Sequence, residues 1–257
     1  VPICDRAMFH ADNAYYLPNV RITSYRCKTH TVSNTAFRGF GGPQGMVGIE
    51  RVIDEIAHYL GMDSLEVRRA NFYDPAGAIG DRSLTPYDMR VEDCVIDTLI
   101  ADLRANADYD ARRSEIREWN RTSSVLKRGI ALTPVKFGIS FTLTFLNQAG
   151  ALVHVYNDGS IHLNHGGTEM GQGLFTKVAQ VAASAFQVDI DRIKITATHT
   201  GKVPNTSATA ASSGTDLNGM ATLNACDNIK SRLKAFAAER WQTSSEQVSF
   251  LPRRVKI

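Results

Sequence analysis

Between Pro43 and residue 107 the apolar positions recur mainly at helical spacing. Met46, Val47, Ile49, Val52, Ile53, Ile56, Tyr59 and Leu60 form one broad stripe, with Pro43 where a first helical residue belongs and Gly61 closing the run, which predicts an amphipathic helix. Asp63 followed by Glu66 reads as a capping box that opens a short helix to Ala70. Turn residues fill 71–86, and a further helix is expected over 91–107, with Cys94, Val95, Leu99, Ile100 and Leu103 on its apolar side.

Beyond Arg121-Thr122-Ser123-Ser124 the pattern becomes strand-like, which places an expected lobe boundary near 127. Alternating segments at 151–156 and 160–165 flank Asn157-Asp158-Gly159, a hairpin signal because Asp-Gly accepts positive φ. Leu174, Val178, Val181, Ala182, Ala185 and Phe186 then mark a helix, 193–198 a strand and 215–241 a long helix. The expected class is α+β: two mixed lobes, 1–127 and 128–257, with glycine-rich loops leading into helices.

Two of those loops carry the functional signal. Phe37-Arg38-Gly39-Phe40-Gly41-Gly42-Pro43-Gln44-Gly45 and Gly166-Gly167-Thr168-Glu169-Met170-Gly171-Gln172-Gly173 both run into helical patterns. Glycine lets backbone amides approach a ligand, and a helix start adds unpaired N–H groups that favour an anion, so a large, polar, phosphorylated ligand is expected. Neither loop has dinucleotide-fold or P-loop spacing. A third stretch, Asn205 to Asp216, is rich in small and hydroxylated residues and precedes the long helix. Taken singly, tight turns with packed phenylalanines and an extended N-cap are the simpler alternatives.

Composition narrows the field. The 29 basic and 26 acidic side chains leave a net +3, spread along the chain, so charge gives no argument for a nucleic-acid or membrane partner. Cys4, Cys27, Cys94 and Cys226 form no Cys-x-x-Cys pair and read as buried thiols in a reducing, cytoplasmic setting. The uncharged stretch 137–153 contains too many polar residues to span a bilayer. His154, His162 and His165 fall on the hairpin, where a paired polar face is favoured over a metal site. The chain begins Val1-Pro2-Ile3 and ends in a strand-like Arg253–Ile257, which suggests a segment of a longer protein.

The two glycine stretches, Phe137-Gly138-Ile139-Ser140-Phe141-Thr142 and Thr209-Ala210-Ala211-Ser212 resemble, in order and spacing, the molybdenum-binding subunit of the xanthine dehydrogenase and xanthine oxidase family. The resemblance covers essentially all of this chain but about a third of that subunit. It implies a molybdenum–molybdopterin cofactor near Phe37, Arg38, Gly39, Met170, Gly171, Gln172, Ala210, Ala211 and Ser212. Arg38 and Ala211 would lie near the molybdenum without ligating it, because sulfur atoms of the pyranopterin hold the metal. Residues 1–127 would then be the first molybdenum-cofactor and substrate lobe, and 128–257 the second, truncated one.

The resemblance also implies a purine substrate sandwiched by Phe40 and Phe141 and oriented by Arg6 and Thr142. Hypoxanthine and xanthine would be hydroxylated to urate with water as oxygen source. Related aldehyde oxidases usually lack an arginine at the Arg6 position, which favours purines. No glutamate here matches the family's general base, expected beyond Ile257, and Glu169 is given a loop-bracing role. Iron–sulfur (2Fe-2S) and FAD modules, with the rest of the molybdenum subunit, would be partners elsewhere. The alternatives are an aldehyde oxidase-like hydroxylase, or a non-catalytic cofactor-binding or assembly module.

Overall fold

The computed structural model describes residues 2–257 other than 34, 76, 78–79, 142 and 203–205, and divides into two compact units, 1–138 and 139–257. Thr142 and Asn205, both singled out above, lie outside the described residues. Helices and small sheets are mixed, in keeping with an α+β class.

In the first unit α1 (Pro2–Met8), α2 (Gly42–Leu60), α3 (Ser64–Ala70), α4 (Ile96–Asn106) and α5 (Tyr109–Thr122) follow in order. Of the expected stripe of α2, Val47, Val52, Ile56, Tyr59 and Leu60 are exposed, whereas Ile53 is buried and, with Ala57, packs against Tyr15, Leu65, Phe72 and Ile100. Burial of such side chains stabilises by roughly 1.5–3 kcal/mol each. Asp63 caps α3 by accepting the Leu65 amide at 2.9 Å, while the Glu66 carboxylate pairs with Arg104 at 3.0 Å rather than closing the expected capping box.

In this unit one boundary and two helices differ from the sequence reading, each for a local reason. The helix expected from 91 begins at Ile96, because the Val91 amide donates to the Ser83 carbonyl at 2.7 Å and Asp93 turns left-handed with φ 48°. α1 was not expected, since seven residues give too little periodicity to read. Nor was α5, which carries few apolar residues and relies on local pairs such as Arg121–Glu118 at 2.7 Å.

Fully buried Arg68 on α3 lies under α2. Its guanidinium donates to Glu50 and Asp54, both at 2.8 Å. The other Glu50 oxygen accepts Asn13 Nδ2 at 2.8 Å and the Tyr15 hydroxyl at 2.5 Å. Burial, then the bond to the Glu50 carboxylate, pushes that hydroxyl far above the ordinary tyrosine range, so it stays a donor.

In the second unit β1 (Ala151–Val155) pairs antiparallel with β2 (Ile161–His165), which pairs parallel with β3 (Ile193–Ile195). α6 (Leu174–Phe186) makes the crossover between β2 and β3, and α7 (Gly214–Trp241) packs beside it, placing Cys226 in a core with Ile161, Leu163, Val178 and Ala182. Cys226 is buried as expected, but Cys27 and Cys94 are exposed and Cys4 is half-buried, which corrects the reading of all four as buried thiols. β4 (Ser249–Leu251) and β5 (Arg254–Lys256) form a separate hairpin. Asp158 holds the β1–β2 turn by accepting the Ser160 amide at 2.9 Å. β3 stops short of the expected Thr198, whose hydroxyl leaves the sheet to bond the Gly167 carbonyl at 2.9 Å.

Candidate functional site

In the first unit the glycine loop turns left-handed three times in succession, with φ 94° at Gly39, 54° at Phe40 and 104° at Gly41. The Phe40 amide bonds the Phe37 carbonyl at 2.7 Å, and no side chain caps α2. Phe37 is 83 % exposed, Arg38 is exposed and Phe40 is 38 % exposed. The glycines also serve packing. A Cβ at Gly41 would overlap the Ile3 carbonyl and one at Gly45 the Ala7 carbonyl, so α1 lies directly against the first turn of α2.

Arg6, on α1, belongs to a closed ring of hydrogen bonds. Its Nη2 donates to the Gly138 carbonyl, and its guanidinium stacks 5.1 Å from the Phe137 ring centroid. The Gly138 amide donates to His10 Nε2 at 3.2 Å, and His10 Nδ1 donates to the Arg6 carbonyl at 2.8 Å. Arg6 Nε is buried without a partner among the described residues.

In the second unit the loop after β2 is braced by its own side chains. Glu169 Oε1 accepts the Gly171 amide at 2.9 Å and the Gly173 amide at 3.0 Å, while Oε2 accepts the Phe175 amide at 3.0 Å. These bonds, the Phe175 one foremost, hold its carboxyl below the ordinary glutamate range. The start of α6 therefore already carries an anion, which corrects the expectation of open amides there. Gln172 spans the same loop, accepting the Met170 amide at 2.5 Å and donating to the Thr168 carbonyl at 2.8 Å. Met170 and Gly171 remain exposed.

The other stretches of this unit converge on that loop. The Thr168 amide donates to Thr209 Oγ1 at 2.8 Å, and the Ser140 amide donates to the Ala211 carbonyl at 2.7 Å. Asn147 clamps Phe141, accepting its amide at 3.1 Å and donating to its carbonyl at 2.9 Å. Ser207 ties the 146–148 segment to this group through the Leu146 carbonyl, and its amide donates to the Gln148 carbonyl at 2.9 Å. Ala210 and Ser212 are exposed and Ala211 is half-buried. His154 and His162 stack with centroids 6.3 Å apart, and no group of three or more metal-ligating side chains occurs among the described residues.

Backbone conformation marks the same positions. Among the described non-glycine residues with positive φ, Asn13, Asp88, Asp93 and Asp108 are types that tolerate it, Gln187 and Gln242 end helices, and Arg253 turns a hairpin. The others are Phe40, Ser140, Ala211 and Ser212, with φ 54°, 66°, 57° and 56°. Each costs about 1–2 kcal/mol, and such residues gather where function requires a particular backbone. The sequence marked these stretches. It did not mark His10 or Asn147, each a polar residue in an apolar context whose partner no local spacing reveals.

Residues 102–257 match the family described as Molybdopterin cofactor-binding domain, and residues 1–72 match a second family of the same description. The chain is 51 % identical over 234 residues to the xanthine dehydrogenase/oxidase of Mus musculus, covering 91 % of this chain and 17 % of that protein. It is 49 % identical over 231 residues to the xanthine dehydrogenase of Calliphora vicina, again 90 % of this chain and 17 % of that protein. A nicotinate hydroxylase, hnxS of Emericella nidulans, is 50 % identical over 236 residues, 91 % of this chain and 17 % of its own length. The chain thus spans about a sixth of these relatives. Among solved structures, the aldehyde oxidoreductase of Desulfovibrio desulfuricans superposes with TM-score 0.66 at 23 % identity, over 89 % of this chain and 24 % of that one. Quinoline 2-oxidoreductase of Pseudomonas putida 86 gives 0.64 at 21 %, over 86 % and 28 %. At these identities the structures speak to fold alone.

Proposed function

We propose, from the premise that this chain belongs to the molybdopterin cofactor-binding domain family, that it supplies residues for holding the cofactor and a purine in a xanthine dehydrogenase-type hydroxylase. The molybdenum cofactor supplies the oxygen-transfer and electron-accepting chemistry. This chain's own residues bind and orient.

The residues suit such a group. A pterin with its phosphate calls for close backbone approach and uncharged donors. Beyond Gly171, where φ is 88°, a Cβ would meet nothing within 4 Å, and Ala210 and Ser212 present small side chains at an exposed turn. Gln172, though braced in its loop, retains one N–H and one lone pair by its donor and acceptor inventory. Gln172, Met170 and Gly171 hold the pterin and its phosphate, and Ala210, Ala211 and Ser212 press their backbone against the cofactor. Phe37, Arg38 and Gly39 are assigned to the same cofactor, and Arg38 and Ala211 to the neighbourhood of the metal.

Phe40, on a left-handed turn, and Phe141, clamped by Asn147, are each assigned a ring contact with the heterocycle. Arg6 and Thr142 orient it. The positive charge of the Arg6 guanidinium would stabilise negative charge as it builds on the ring. The general-base glutamate, the 2Fe-2S and flavin modules and the remainder of the molybdenum subunit lie outside this chain. The setting is cytoplasmic.

The observation that carries this reading is the coincidence of the left-handed residues Phe40, Ser140, Ala211 and Ser212 with the stretches assigned to cofactor and substrate. A second reading, hydroxylation of another nitrogen heterocycle such as nicotinate, draws on the equal similarity to the Emericella protein. In the full enzyme, Arg6→Met should lower purine kcat/KM by roughly tenfold or more relative to aldehyde turnover, with molybdenum content unchanged. An unchanged ratio removes the purine assignment, and wild-type protein purified without molybdenum or pterin removes the cofactor assignment.

A further inference from the structure

The hydrogen-bond ring around Gly138 assigns work to a residue that makes no substrate contact in the proposal above. His10 accepts from the Gly138 amide through Nε2 at 3.2 Å and donates from Nδ1 to the Arg6 carbonyl at 2.8 Å. Arg6 closes the ring by donating to the Gly138 carbonyl. One residue, Gly138, is therefore held at its N–H by His10 and at its carbonyl by Arg6, and one arginine is held at its backbone by His10 and at its guanidinium by Gly138.

These partners fix the tautomer. With Gly138 N–H pointing at Nε2, that nitrogen must carry the lone pair, and the proton must sit on Nδ1. A doubly protonated ring would place two N–H groups face to face. The surroundings favour the neutral form. Burial lowers the His10 pKa below the ordinary histidine value, the bond to the Arg6 carbonyl opposes this, the charges of Arg6 and Lys136 add to it, and Asp12 opposes it. The ring also packs on Phe137, with centroids 4.7 Å apart, and is 4 % exposed, so it has no alternative site.

We propose that His10 is a positioning residue: in its neutral Nδ1–H tautomer it sets where the Arg6 guanidinium sits by tying α1 to the Gly138 peptide. This rests on the proposed substrate role of Arg6 for its catalytic consequence, but the positioning claim can be read without turnover.

In the full enzyme, His10→Phe keeps a ring against Phe137 and removes both hydrogen bonds, while His10→Gln keeps one donor and one acceptor. Phenylglyoxal labelling, followed by peptide mass spectrometry, reports release of the Arg6 guanidinium, and buried Arg68 serves as a fold control. Arg6 labelling should quicken about fivefold in His10→Phe and return toward the wild-type rate in His10→Gln, with Arg68 slow throughout. An unchanged Arg6 rate in His10→Phe, with Arg68 still protected, overturns the proposal. If Arg68 also opens in His10→Phe, His10→Gln decides: a wild-type Arg6 rate supports the proposal and a raised rate overturns it.

Turnover provides the functional arm. Purine kcat/KM should fall roughly tenfold or more in His10→Phe, aldehyde turnover should fall less, and adding Arg6→Met should cost nothing further. Additive losses, or equal losses for both substrates, count against positioning through Arg6. If Arg6→Met alone leaves the purine-to-aldehyde ratio unchanged, the purine reading fails while the labelling result still stands or falls by itself.

Discussion

Replacing Glu50 by Leu should be among the most damaging single changes in the first unit. Glu50 is the better-shielded of two carboxylates that neutralise Arg68, whose side chain is 1 % exposed, and the second, Asp54, is 48 % exposed. Removing one partner of a buried pair costs about 3–5 kcal/mol, because the remaining charge keeps its desolvation penalty without its compensation. The Tyr15 hydroxyl, on a fully buried side chain, loses its acceptor at a further cost of about 1–3 kcal/mol. Asn13 keeps its bond to the Pro134 carbonyl at 3.0 Å, so it adds little. The total comes to about 4–6 kcal/mol once overlap between neighbouring contributions is allowed for.

Native-state hydrogen exchange at the α3 amides reads this directly, since their opening exposes Arg68. Protection there should fall by about three to four decades, at about 1.4 kcal/mol per decade. Adding Arg68→Met to Glu50→Leu should restore much of the loss, because an apolar pair of similar volume escapes the desolvation cost. A loss under about 1 kcal/mol for Glu50→Leu, or a double substitution costing as much as the sum of the singles, would refute the account.

Two other substitutions probe the loops. Gly45→Ala sets a methyl against the Ala7 carbonyl and should push α1 off α2 at a cost of about 1–3 kcal/mol, read as faster exchange over residues 2–10. An unchanged exchange pattern there would mean that α1 is not held by this contact. Glu169→Gln removes the anion at the start of α6. Because the folded pKa of Glu169 lies below its ordinary value of 4.5, its contribution is fully present above that pH and is lost as pH falls through the folded value. Acid unfolding of the second unit should therefore depend less on pH below 4.5 in the variant, and an identical acid limb in the two proteins would contradict the assigned bonds.

What the sequence disclosed follows the range of the interactions involved. α2 was legible from Pro43, its apolar stripe and Gly61, and the β1–β2 turn from Asp158-Gly159, because each signal acts within one element. Glu169 was assigned to bracing through the family resemblance, and its amide partners lie two to six residues away. α5 escaped notice because its polar sequence has no stripe, and the true start of α4 because the Val91 amide is committed to Ser83. The His10–Gly138 bond joins residues 128 apart, and no local pattern encodes such a pairing. Left-handed Phe40 and Ala211 were equally hidden, since neither residue type prefers that conformation and only tertiary contacts hold it.

The second glycine loop completes itself. Since Glu169 and Gln172 already hold its amides and carbonyls in place, the loop acquires its shape during chain folding, ahead of any ligand. For a ligand bound there as proposed above, little ordering entropy would be charged to its arrival.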